Sequence, residues 1–158
     1  MDQHDEAWRH SNIGRLLHNA VNRFENRVLK LMLEAGHGEA RYSHLNLTRN
    51  LDVWGTRTTA LAKRAGMTKQ AMGEIVEQCE KLGLVERRAD PTDARAKIVV
   101  FTEAGLEWLN AFRTALETAE QEMCAEIGYL RVDAIASALA VYGASYDPLE
   151  TSHSRRTQ

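Results

Sequence analysis

LAKRAGMTKQAMGEI, residues Leu61 to Ile75, is the stretch that decides the fold. Ala62 leaves room for a second helix to cross closely, where a larger side chain would overpack the crossing by roughly 1 to 3 kcal/mol. Four residues on, Gly66 can take the left-handed conformation that ends one helix and opens a turn. Leu61, Ala65, Met67, Met72 and Ile75 fall on the inward positions of two helices, and Thr68 suits the N-cap of the second. The spacing is that of a helix-turn-helix. A plain helical hairpin in a core shares it, so the flanking sequence has to discriminate.

Downstream, Met72, Ile75, Val76, Cys79 and Leu82 make a helical apolar stripe, and the second helix runs from Thr68 to Leu82, stopped by Gly83. The first helix is expected to start near Thr56 or Thr58. Leu84 to Arg88 and Ala96 to Thr102 are strand-like, the latter through Ile98, Val99 and Val100, and the intervening ADPTDARA is turn chemistry. These runs form an antiparallel hairpin. A helix-turn-helix followed at once by a hairpin is a winged helix.

Upstream, Ile13, Leu16, Leu17, Ala20, Val21, Phe24, Val28, Leu31 and Met32 recur at helical spacing and predict one amphipathic helix from about Asp5 to Ala35, ended by Gly36 and Gly38. Tyr42 to Asp52 reads as a short helix capped by Ser43, although Leu45 and Leu47 also alternate like a strand. Thr102 caps a further helix whose apolar positions Leu106, Leu109, Phe112, Leu116, Met123, Ile127 and Leu130 carry it to about Gly128. A last helix through Val132, Ile135, Ala136, Leu139 and Tyr142 ends at Gly143. The predicted architecture is mainly α with a small β-hairpin, one domain over 1–158. Residues 55–102 form its winged helix-turn-helix, 1–40 and 103–146 the flanking helices, and 147–158 a disordered tail.

With 158 residues, 44% of them hydrophobic, the chain has enough apolar content for one domain's core. Cys79 and Cys124 sit among apolar neighbours, and neither they nor the six histidines show metal-ligand spacing. His4 and His153 fall in the ends. No Ser/His/Asp, paired-carboxylate or phosphate-loop constellation appears, so no enzyme, cofactor or metal is expected. No run approaches the roughly 20 apolar residues that cross a bilayer, and the N-terminus lacks a leader's apolar core, which points to a cytoplasmic protein without a membrane partner.

The net charge of −2 hides an asymmetry. From Arg57 to Lys97 there are nine basic residues against six acidic, whereas from Glu103 to Glu150 there are two against nine. A polyanion would meet the first segment and be repelled by the second.

In order and spacing, LAKRAGMTKQAMGEIVEQCEKLGLVERR, then DPTDARAK, then FTEAG resemble the MarR group of winged-helix transcription regulators. The motif covers roughly Leu61 to Gly105, and the helix order most of the chain. The resemblance implies a homodimer made by the first and last helices, a recognition helix in the major groove and a wing in the minor groove of double-stranded DNA. Dimerisation has an independent argument: a helix of about 30 residues spans roughly 45 Å, more than the winged core can cover.

Lys69, Gln70, Gly73, Glu74 and Gln78 face outward on the recognition helix and are the base-reading candidates, since Gln can pair bidentately with adenine and Glu can accept from cytosine. Ala71 suits contact with a thymine methyl, and Thr68 with the helix N-terminus suits a phosphate. Glu74 and Glu77 need a base edge or a basic neighbour to offset a polyanion. In the wing, Arg95 at the hairpin tip suits the minor groove, and Asp93 is placed to hold its guanidinium. The family's Asp-x-Arg wing pattern gives the same pair, while Ala94 stands where the family often has a basic residue or glycine. Arg87, Arg88 and Lys97 at the hairpin base are expected phosphate contacts.

Family members commonly respond to small aromatic ligands bound between the dimerisation helices and the reading head. His18, His44, Arg49 and Trp54 lie in stretches that suit such a pocket, and core packing or exposure explains each equally well. Cys79 reads either as a redox-sensitive position or as a small apolar side chain. The function expected is a homodimeric repressor on a near-palindromic operator, released by a small aromatic ligand. The alternative is a winged-helix protein-interaction module without sequence-specific DNA binding, which has no use for an electropositive wing.

Overall fold

Asn12 divides the expected N-terminal helix in two. Its extended backbone and its side chain, which accepts from the Arg15 N–H at 3.0 Å and donates to the Trp8 carbonyl at 2.7 Å, end a short helix α1 (Ala7–Ser11) and cap α2 (Ile13–Glu34). The computed structural model describes residues 7–144. The first residues of the expected helix and the tail after Pro148 lie outside them. Helix α2 has 22 residues, about 33 Å at 1.5 Å per residue. Only Val28 and Met32, in its last turns, are buried, while Ile13, Leu16 and Val21 stand exposed.

Helix α3 (Tyr42–Asn50) follows, starting from extended Arg41 without a side-chain cap. Ser43 lies inside this helix and does not cap it. His44, Leu45 and Leu47 face inward. The chain then makes a two-residue strand β1 (Thr56–Arg57), followed at once by α4 (Thr58–Arg64). At Gly66 the backbone takes φ +62°, and the Met67 N–H reaches back to the Ala62 carbonyl at 2.9 Å, so the end of α4 is closed as the chain turns. Thr68 caps α5 (Lys69–Lys81), its side chain accepting from the Ala71 N–H at 3.1 Å. Leu61 and Ala62 on α4 and Met72, Ile75, Val76 and Cys79 on α5 are buried together in the core, with Ala65 and Met67 partly buried against it; Leu82, expected on the same buried stripe, is instead 41% exposed where the helix ends.

Strands β2 (Val85–Asp90) and β3 (Asp93–Phe101) make the antiparallel hairpin, reaching closer to its turn than expected. Strand β1 pairs with the other edge of β3 through Thr56 with Val99 and Arg57 with Ile98, giving a sheet of order β1-β3-β2. This third strand is too short to show alternation in the sequence.

Thr102 caps α6 (Glu103–Ile127), accepting from the Gly105 N–H at 3.0 Å. A Cβ on Gly105 would stand 1.8 Å from the Leu84 carbonyl oxygen, so only glycine lets α6 lie this close to the base of the hairpin. The buried stripe of α6 is Gly105, Trp108, Phe112, Ala115 and Ala119, one position off the expected leucines, and Leu106 is exposed. Small residues let α6 press against α2, and Trp108 stacks on Phe112 with ring centroids 5.5 Å apart. Gly128 separates α6 from α7 (Tyr129–Gly143), so Leu130 belongs to the last helix. Among the described residues, no helix is long and apolar enough to cross a membrane.

Candidate nucleic-acid interface

The core-facing stripe of α5 leaves Lys69, Gln70, Glu74, Glu77 and Gln78 exposed on its far side, with Ala71 and Gly73 partly so. Gln70 Nε2 lies 3.4 Å from Glu74 Oε1, one turn along, so the two expected base readers are neighbours on one stripe. Thr68 spends a lone pair on its cap and remains exposed. On the inner side, burial pushes the Cys79 thiol up to about 12, which keeps it protonated and inert at neutral pH.

Two strands and a bound carboxylate build the wing. Asp90, buried at the end of β2, accepts from the Thr92 N–H at 2.8 Å and the Thr92 hydroxyl at 2.6 Å through one oxygen, and from Arg57 Nε at 2.6 Å through the other. These bonds, those of Thr92 foremost, hold its carboxyl down to about 2. The tip is therefore pinned to β1. Pairing passes from Ala89 with Lys97 to Asp90 with Asp93, so Ala94, Arg95 and Ala96 form an irregular stretch on β3. Arg95 is exposed there, beside the turn rather than at its apex. Asp93 Oδ1 accepts from the Arg95 backbone N–H at 3.1 Å, and Asp93 Oδ2 lies 3.7 Å from Arg57. Asp93 thus shapes the backbone under Arg95 and faces the guanidinium of Arg57.

Cations of the basic segment divide into two sets. Arg57 is held by Asp90, Arg64 donates to Asp52 and to the Asn50 carbonyl at 2.8 Å each, Arg87 pairs with Glu80 of α5, and Arg88 pairs with Glu86. Arg64, together with Thr56, keeps Asp52 below the usual carboxylate range. Lys63, Lys69, Lys81, Arg95 and Lys97 are exposed and make no ion pair among the described residues. Of the expected phosphate contacts, Lys97 belongs to this open set, whereas Arg87 and Arg88 are each paired with a carboxylate. Arg57 is the wing residue that sequence reasoning missed. Its signal, a cation immediately before a helix and far from its carboxylate in sequence, is weak.

The four residues considered for an effector are dispersed. His18 lies exposed on α2, 2.9 Å from Asn22 Nδ2; Arg49 pairs with Glu25 at 2.7 Å; Trp54 is 89% exposed in the turn before β1. His44 is 3% exposed, packed beneath α5. Burial holds its ring below the usual histidine range, the Arg41 charge adds to this, and a hydrogen bond with Gln78 and the charge of Glu39 oppose it. None of the four lines the cavity of about 230 Å³ between α2 and α6, which is walled by Phe24, Met123 and Ile127 and rimmed by the pairs Arg23 with Glu126 and Arg27 with Glu122. Those arginines hold both glutamates below their ordinary range.

Residues 46–96 match the family model described as MarR family. No curated protein matches the chain. Among solved structures, CouR from Rhodococcus jostii RHA1 bound to p-coumaroyl-CoA superposes with a TM-score of 0.69 at 21% identity, over 86% of this chain and 94% of that one. The transcriptional repressor CouR bound to a 23-mer DNA duplex gives 0.69 at 22% identity, over 87% and 96%. The Mycobacterium tuberculosis MarR family protein Rv2887, in complex with p-aminosalicylic acid, gives 0.64 at 19% identity, over 84% and 99%. The family model lies over the helix-turn-helix and hairpin, and the fold shared with these solved structures extends through the flanking helices: residues 46–96 match the MarR family, and the chain has the winged-helix fold of those structures.

Proposed function

We propose that this protein is a homodimeric, sequence-specific double-stranded DNA-binding transcriptional regulator, a repressor of a near-palindromic operator that a small aromatic ligand releases. The observation that carries the reading is the open set of cations around the recognition helix and wing: Lys69 at the start of α5, and Arg95 and Lys97 on β3, all exposed and without a carboxylate partner among the described residues. The polar face of α5 enters the major groove, with Gln70, Glu74 and Gln78 toward base edges, while Arg95 enters the adjacent minor groove. Thr68 and the α5 N-terminus hold a phosphate. CouR in complex with a DNA duplex and with p-coumaroyl-CoA, and Rv2887 with p-aminosalicylic acid, support this use of the fold.

Dimerisation follows from what the chain leaves in water. Ile13, Leu16 and Val21 of α2 and Leu130, Ile135, Leu139 and Tyr142 of α7 are exposed, and burying each large one is worth about 1.5 to 3 kcal/mol. Two heads on a twofold axis meet half-sites about 34 Å apart, which makes the operator a near-palindrome. Salt titration tests the reading: log affinity for duplex DNA falls with log salt by about 0.9 per phosphate neutralised, and a flat response sinks it.

A further inference from the structure

We propose that the cavity between α2 and α6 is the effector site of this chain and takes a neutral aromatic molecule of one or two rings, whose presence α2 passes on to the reading head. The inference rests on the regulator reading above and gives its effector a place and a charge. That place is not the junction of dimerisation helices and reading head where the resemblance puts effectors: Met123 stands about 27 Å along α6 from Gly105, where the helix meets the base of the hairpin. The cavity measures about 230 Å³. An apolar space of about 150 Å³ already takes benzene, so one substituted ring or a fused pair fits here, whereas a helix about 10 to 12 Å across does not.

The walls set the ligand's charge. Ala20 and Phe24 of α2 face Ala119, Met123 and Ile127 of α6, and none of the five side chains carries a strong donor or acceptor. The two alanines leave the space open, and the ring of Phe24 and the thioether of Met123 suit an aromatic neighbour. The charges of the rim are already matched: Arg27 gives Nε and Nη2 to the two oxygens of Glu122 at 2.7 Å each, and Arg23 holds both oxygens of Glu126. A ligand carboxylate would have to break one of these forked pairs to reach a cation, and an ammonium to reach an anion. A neutral ring breaks neither. On its other sides the same stretch of α2 is tied to α3, through Glu25 with Arg49 at 2.7 Å and through Asn26, which accepts from the Tyr42 hydroxyl. Helix α3 packs in turn on the recognition helix α5. One rigid stretch of helix thus joins cavity and reading head, so a ring that wedges α2 off α6 moves α3 with it.

Indole, neutral with two fused rings, and indole-3-carboxylate, its anionic counterpart, are the probes. Titrated into the full chain with ¹³C-labelled methionine methyls, indole is expected to move the Met123 signal saturably, and indole-3-carboxylate is not. Ala20→Leu fills the space from an exposed position, so it abolishes the shift while duplex binding without probe stays at the parent's level. In the parent, saturating indole weakens duplex binding by at least about fivefold, the lower end of ordinary coupling between sites; in Ala20→Leu it has no effect. Arg49→Gln combined with Tyr42→Phe keeps the Met123 shift and loses the effect on duplex, and an effect that survives the pair overturns the relay through α3. An unmoved Met123 signal, or one moved equally in Ala20→Leu, overturns the site. If Ala20→Leu then also splits the dimer, a side chain of the second copy fills the space instead. Tighter binding of the anion overturns the assigned charge, and indole that moves Met123 but leaves duplex affinity unchanged overturns the effector role. A parent that binds no duplex at all sinks the regulator reading, while the methyl titration still decides whether the cavity takes the ring.

Discussion

Arg57 Nε donates to Asp90 Oδ2 across 2.6 Å, joining the strand that leads into the helix-turn-helix to the turn of the wing 33 residues later. The wing is thus set against the reading head by a charge-assisted bond as well as by the two backbone pairs of β1 with β3. Under the proposed regulator reading, a base-reading helix and a groove-entering hairpin have to keep their mutual angle to fit one duplex, and this bond serves that fit.

The Asp90 carboxyl sits at about 2, below its ordinary 3.8. A group whose pKa is depressed by folding adds stability above its unfolded value and loses it as pH falls through the folded one. The wing tip should therefore stay ordered above pH 4 and loosen as the pH falls from there toward 2, before any loss attributable to Arg57, which keeps its charge throughout. Amide exchange at Thr92, read by NMR across that range, checks this. Asp90→Asn is expected to show the loosened tip already at neutral pH, with weaker duplex binding and unchanged helix content.

Arg95→Ala should cost about 1 to 3 kcal/mol of operator binding and lower the salt slope by about 1. The Arg95 side chain is exposed, and only its backbone N–H is held, by Asp93. Thermal unfolding of the variant should consequently match the parent. Unchanged affinity would place the wing away from DNA, and a lowered melting temperature would give the guanidinium a structural role instead.

Locality separates what the sequence made legible from what it hid. The Gly66 turn, the Thr68 and Thr102 caps and the α5 stripe depend on residues within a turn of one another, and the composition marks them directly. Strand β1 depends on the free edge of β3, which Thr56 and Arg57 cannot signal alone. The α6 stripe shares Phe112 with the expected one but otherwise lies one position from the leucines, because the buried face is made of Gly105, Ala115 and Ala119 around Trp108 and Phe112, small where α2 and the hairpin come close, with Leu109 and Leu116 packed at its edge. In the reading head, outward residues could be named from helical periodicity. Their partners could not: Arg87 with Glu80 and Arg57 with Asp90 each join separate elements.

Gly73 and Gly105 should respond in opposite ways to alanine. A Cβ at Gly105 meets the Leu84 carbonyl oxygen at 1.8 Å, and the backbone at the base of the hairpin cannot yield cheaply, so Gly105→Ala is expected to destabilise by about 1 to 3 kcal/mol. At Gly73, inside α5, the added methyl meets nothing within 4 Å, and alanine should stabilise the helix by about 1 kcal/mol. If the α5 backbone approaches base edges at Gly73, the same variant binds operator more weakly while melting higher. Paired melting and binding curves check both; a Gly73→Ala protein that gains stability and binds as tightly as the parent would remove Gly73 from the contact surface.

Leu139→Glu should split the dimer. Leu139 lies one turn from Ile135 on α7, both exposed in the isolated chain, and α7 packs within that chain mainly on α6. In a dimer that covers this face the new carboxylate would be buried without a partner, a cost of several kcal/mol that a two-fold interface meets twice. Sedimentation velocity at micromolar protein is expected to give a dimer for the parent and a monomer for the variant. Duplex binding should fall with it, because one head alone spans one half-site, and the residual affinity should no longer depend on half-site spacing. A variant that stays dimeric with full operator affinity would move the interface off α7 and leave its apolar face to another partner.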